Sequence, residues 1–148
     1  MKQITIFVLC ATLTTALSAA QPQWVEVTKA GDGATSYADI TSVKYVEGKT
    51  LVWFLTTGGT ADKYPYYNPK YPLGTTYKSL VDLRSFDCAK SRSASLQASY
   101  YSEGNMSGEN LGSMTTPDKD VSFSYPTPGT VGSALLDYVC TYLSLKKK

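Results

Sequence analysis

At 148 residues, with a formal net charge of +2 and no histidine, the chain has the length of one ordinary domain and excludes imidazole chemistry at the outset. Ser-His-Asp triads, Cys-His dyads and histidine metal sites are all out of reach. The positive balance is not that of a nucleic-acid binder either, because three of the positives are the terminal Lys146, Lys147 and Lys148 and not a basic face.

Residues 1–20 have the parts of a secretory signal: Lys2 at the start, an apolar stretch from Ile4 to Leu17, and the small residues Ser18, Ala19 and Ala20 before Gln21. Cleavage after Ala20 is predicted. A transmembrane anchor would need about 20 apolar residues, and Thr12, Thr14, Thr15 and Ser18 interrupt this stretch. Leu9 stands before Cys10 where a lipoprotein signal wants a small residue, so no lipid anchor is expected. A domain over 21–145 and a solvated basic tail over 146–148 would remain, and with Lys2 gone the balance falls from +2 to +1. Of the three cysteines, Cys88 and Cys140 would then be left. In an oxidising compartment such a pair is expected to form a disulfide.

Along the mature chain, Trp24-Val25-Glu26-Val27 opens a strand, and Gly31-Asp32-Gly33 marks the turn after it. Ser42 to Val46 and Thr50 to Leu55 are β-branched and aromatic runs separated by Glu47-Gly48-Lys49. They predict an antiparallel hairpin with Gly48 at positive φ. A long strand pattern from Tyr77 to Cys88 changes phase, which predicts a β-bulge or sharp bend near Arg84-Ser85. Leu96, Ala98 and Tyr100 predict a further half-buried strand, Gly104 to Gly112 a polar loop, and Val121, Phe123 and Tyr125 a last strand. After Pro128-Gly129 the period changes to that of a helix with Thr130 as its N-cap. Val131, Ala134, Leu135, Tyr138, Val139 and Tyr142 form one apolar stripe, and Leu136, Cys140 and Leu143 a second, so the helix should be mostly buried.

Between Asp62 and Gly74 stand Tyr64, Tyr66, Tyr67 and Tyr71, interleaved with Pro65, Pro69 and Pro72. Proline stiffens such a segment into an extended path, and tyrosine is a favoured anchor at protein interfaces. These four tyrosines are the candidate ligand-binding residues, with Tyr66 and Tyr67 as exposed anchors framed by Tyr64 and Tyr71. The alternative is structural: the rings fold back to cover the sheet while proline discourages edge pairing. Other chemistry is absent from the pattern. Asp118-x-Asp120 starts like a calcium loop, but Gly129 stands where its glutamate should be. No metal or other cofactor is expected.

The order of Trp24, Val52-Trp53, Lys78-Ser79, Asp87-Cys88, Tyr100-Tyr101 with a glycine loop after it, Pro128-Gly129-Thr130 and Cys140 resembles the surface-adhesin protein E domain family of exported bacterial proteins. The resemblance implies a small antiparallel sheet domain with a C-terminal helix tied on by a disulfide, and a family named for adhesion to host matrix proteins. Together with the patterning it predicts an α+β fold, with about five to six strands in one sheet. The family's namesake type is held at the cell surface by a lipid, whereas the signal here reads as an ordinary cleaved one. The expected location is the periplasm or outer surface of a Gram-negative bacterium. The expected function is non-enzymatic recognition of a protein ligand, and the rival is an envelope-associated structural module with no host ligand.

Overall fold

A computed structural model describes residues 21–66, 68–72 and 74–143; the signal-like segment 1–20 and the tail Lys146–Lys148 lie outside the described residues. Strand β1 (Trp24–Lys29) pairs antiparallel with β2 (Thr35–Asp39), and β2 pairs with the near half of the long β4 (Lys49–Lys63). The short β3 (Lys44–Val46) continues along the same edge of β4. Between β2 and β3 the chain makes a corner fastened by Asp39, whose Oδ1 accepts from Gln23 N, Thr41 N and Thr41 Oγ1 at 2.7–3.0 Å. The predicted hairpin is a two-residue turn. Val46 pairs with Lys49, and both Glu47 (φ 48°) and Gly48 (φ 76°) are left-handed, as a type I′ turn requires.

Strands β5 (Thr76–Asp87), β6 (Arg92–Tyr101) and β7 (Asn110–Thr115) follow in antiparallel order, giving a sheet β1-β2-β4-β5-β6-β7 with β3 beside β4. The bulge expected at Arg84-Ser85 is not in β5, which runs in regular register with β4 from Thr50↔Phe86 to Thr57↔Ser79. It lies in β6, where Leu83 faces Gln97 but Arg84 faces Ser95, so that Leu96 is the extra residue. The phase change in β5 has another cause. Val81 and Leu83 are half-buried on one face and Phe86 is fully buried on the other, so apolar residues of β5 stand on both faces of the sheet.

The strand expected over Val121, Phe123 and Tyr125 is also corrected. This segment pairs with the sheet only as an isolated bridge, Ser93↔Ser124, among the described residues. Pro117 and Pro126 bracket it, and Phe123 is held by Lys49 and Arg92, whose charges lie 5.8 and 5.0 Å from its ring centre. The last strand is β7, part of which falls in the stretch expected to be a polar loop.

One face of the sheet carries Ala38, Val52, Phe54 and Phe86, all fully buried. Helix α1 (Val131–Asp137) and the π-helical turn Tyr138–Leu143 lay Leu135, Leu136, Val139 and Leu143 onto it. Each such side chain contributes about 1.5–3 kcal/mol of burial. Phe54 and Phe86 meet edge to face at 5.7 Å. Thr130 caps the helix as predicted, its Oγ1 accepting from Ser133 N at 3.4 Å. Tyr142, expected on the buried stripe, is exposed. The widened π turn departs from the 3.6-residue spacing on which that stripe was drawn. Cys140, in this turn, is bonded to Cys88 at the end of β5, with 5.4 Å between the Cα atoms.

A second buried group on the same face consists of Ala98, Tyr100 and Leu111, with Tyr64, Tyr71, Tyr77, Leu80 and Met114 packed around it. Asp82 is buried on this face, its strand neighbours being Phe54 on β4 and Ala98 on β6. Arg84 Nε is 2.8 Å from its Oδ2, close enough for an ion pair but not aligned for a hydrogen bond. Burial pushes the Asp82 carboxyl up to about 6, against the opposing pull of Arg84. A folded-state value above the ordinary one means that Asp82 favours the fold most when protonated at low pH, and that this contribution is lost as pH rises through about 6. The stability advantage of the wild type over Asp82→Asn is therefore expected to shrink on the order of 2–3 kcal/mol between pH 4 and 7. Urea titrations at both pH values check this, and a difference independent of pH contradicts it.

Candidate functional site

The tyrosine-proline stretch leaves the sheet at the end of β4, beyond a bulge at Gly58–Ala61 where the register with β5 is interrupted. Tyr64 N donates to Thr75 O at 2.8 Å, closing the base of the loop. Within it, Asn68 and Tyr71 form an isolated bridge, with Tyr71 N on Asn68 O at 3.0 Å. The loop thus has its own backbone bonds.

Its side chains fasten it to β7, the edge strand. Asn68 Nδ2 donates to Leu111 O at 3.0 Å and the Tyr71 hydroxyl to Asn110 O at 3.2 Å. Lys70 pairs with Glu109, which raises the lysine and lowers the carboxylate from their ordinary ranges. Both side chains are exposed, so the pair orients the loop without adding much stability. Two edge carbonyls that could template another strand are thereby occupied.

The rings divide into inner and outer sets. Tyr100, on β6, meets Tyr64, Tyr66 and Tyr77 edge to face at 5.2, 5.9 and 4.9 Å. Burial raises the Tyr100 and Tyr77 phenols above their usual range, so both stay neutral at physiological pH. Tyr64 lies directly over Gly112 of β7, where a Cβ would overlap its hydroxyl. That is why a glycine stands inside this strand. Tyr64 and Tyr71 are half-buried, whereas Tyr66 is 42% exposed and its hydroxyl donates to the Met114 thioether. Pro65, Pro69 and Lys70 are exposed beside it. Tyr67 lies outside the described residues. The structure therefore brings Tyr64, Tyr66 and Tyr71 into one loop surface, with Tyr66 outermost. Sequence reading did not single out Tyr100, Asn68 and Met114 as the parts that hold this loop; the isolated glycine at 112 in an otherwise weak strand was the available signal.

The profile of the surface-adhesin protein E family matches residues 24–141. Three crystal structures of Haemophilus influenzae protein E are similar in fold. Crystal form II of that protein is 15% identical with a TM-score of 0.57, covering 91% of this chain and 99% of that one. A structure from a non-typeable strain is 12% identical with a TM-score of 0.54, covering 90% and 84%. A selenomethionine form is 16% identical with a TM-score of 0.52, covering 86% and 92%. No curated protein sequence matches the chain. At these identities the structures speak for the fold, an antiparallel sheet with a C-terminal helix and one disulfide. The profile match spans most of the chain and includes both bonded cysteines and every strand, and on that match the chain belongs to the surface-adhesin protein E family.

Proposed function

We propose that this protein is an exported, non-enzymatic adhesin that recognises a protein ligand through exposed loops and a sheet face, with host matrix proteins as the ligand class that the family points to. The observation that carries this reading is the tyrosine-proline loop. Tyr64 and Tyr66 both pack edge to face on Tyr100, yet Tyr66 remains exposed, as do Pro65, Pro69 and Lys70 of the same loop. A rigid loop with an exposed aromatic anchor loses little entropy on binding. Family membership supports the same reading. Tyr66 and Tyr67 are the proposed anchors, with Tyr64 and Tyr71 framing them. Residues 1–20 as a cleaved, unlipidated signal and 21–145 as the binding domain belong to the same proposal.

Replacing Tyr66 and Tyr67 together with alanine is expected to weaken ligand binding by up to several kcal/mol while moving the melting temperature little. A double variant that melts far earlier yet keeps its ligand would make these rings part of the core and place the binding surface elsewhere. An unlipidated mature chain also suits an envelope-associated module with no host ligand. Cell fractionation separates the two: protein on the outer surface supports adhesion, and a purely periplasmic pool supports the envelope role.

A further inference from the structure

The sheet face opposite the helix and the tyrosine-proline loop is covered by neither. Trp24 on β1, Trp53 on β4, Val81 on β5 and Tyr101 on β6 are half-buried on it, and with Pro22 and Met106 they line a trough of about 420 Å³. Such a volume accommodates a short run of extended chain.

Met106 reaches this lining at a conformational cost. Asn105 (φ 55°) and Met106 (φ 60°) are two successive non-glycine residues in the left-handed region. Their loop is tied to the sheet by Asn105 N on Thr57 Oγ1 at 2.9 Å and Met106 N on Ser79 Oγ at 3.0 Å. Ser79 Oγ in turn donates to Glu103 O at 2.6 Å. The pair is the centre of a tight turn closed by Ser107 N on Gly104 O at 3.1 Å, which fixes where Met106 stands.

The trough presents two pure donors, the indole N–H groups, beside the Tyr101 hydroxyl and the Ser99 hydroxyl, which shares a bond with Ser113 Oγ at 2.8 Å. The indole N–H groups of Trp24 and Trp53 and the Tyr101 hydroxyl have no partner among the described residues and remain open to solvent. An indole N–H can only donate. The lining holds one charge, Asp39, whose Oδ1 already accepts three bonds from the corner it fastens. The matching ligand is thus flat-sided, rich in carbonyl acceptors, poor in N–H donors, and carries positive charge beside the apolar part. A polyproline II segment meets these conditions, since each proline offers a carbonyl and no N–H. A glycan fits less well, because its many hydroxyl donors would meet only the Tyr101 and Ser99 hydroxyls and Asp39 as side-chain acceptors.

We propose that this trough binds a proline-rich segment of a partner protein with a lysine or arginine next to it. The trough lies on the other face from Tyr66, so this proposal and the loop reading stand or fall separately. Trp24 and Trp53 are the two tryptophans of the chain, so tryptophan emission and the two indole N–H resonances report on the trough directly. Titrating the oxidised protein with an oligoproline peptide carrying one lysine is expected to shift both signals saturably. Trp53→Phe, which keeps an aromatic body and removes the donor, should weaken the peptide about tenfold, and Tyr101→Phe should weaken it several-fold. Tyr66→Ala should leave peptide binding unchanged. Indole signals unmoved by millimolar peptide would overturn the proposal. So would an equal response to a neutral oligosaccharide, which would assign the trough to glycans, or a shift with protein concentration alone, which would assign it to a second copy.

Discussion

Removing the Cys88–Cys140 bond, by reduction or by Cys88→Ser with Cys140→Ser, is expected to lower the stability by about 4 kcal/mol, the chain-entropy value for a closed loop of this length. The bond spans 52 residues and joins the end of β5 to the π turn that carries Val139 and Leu143 into the core. A typical domain has only about 5–15 kcal/mol of net stability. The loss should show as a lower urea midpoint together with weaker amide protection over 131–143 than in the sheet. A double serine variant as stable as the oxidised wild type, or uniform loss of protection, would contradict this placement of the helix.

Tyr100→Ala is expected to be the most damaging single change at the loop end of the sheet, costing about 3–5 kcal/mol, the range for removing a large ring from a packed site. The ring is buried and is the common partner of Tyr64, Tyr66 and Tyr77. Without it the loop loses its inner support, so trypsin should cut after Lys63 and Lys70 well before the rest of the sheet opens. Tyr66→Ala, at a site nearly half exposed, should change stability much less. Equal protease resistance in the wild type and Tyr100→Ala would mean that the loop is held from β7 alone.

What could be read from residues was whatever had a local cause. Glu47-Gly48 between two β-rich runs sets a hairpin turn, Thr130 after Pro128-Gly129 sets a helix start, and two cysteines left behind a signal-like segment are expected to pair. Strand β7 had no such cause. Asn110, Gly112 and Ser113 are poor strand formers, and Gly112 is there because Tyr64, far away in sequence, lies on it. Val121 to Tyr125 had the alternation of a strand, but β7 holds the edge of β6 from Gln97 to Tyr101, leaving this segment an isolated bridge at Ser93. At the site, residue type identified the tyrosines but not their direction. Three prolines and an internal turn at Asn68 to Tyr71 break the period-two rule that assigns side chains to faces. Which rings point inward depends on Tyr100, a contact between distant segments.

The central claim is recognition of a protein ligand through the loop surface around Tyr66. Its most direct test is the binding of the purified, oxidised protein to a panel of immobilised extracellular-matrix proteins, measured beside the folded Tyr66→Ala, Tyr67→Ala double variant. The account predicts saturable binding to at least one matrix protein by the wild type and its loss in the variant. Folded wild-type protein that binds none of them, or a variant that binds as tightly as the wild type, would contradict it.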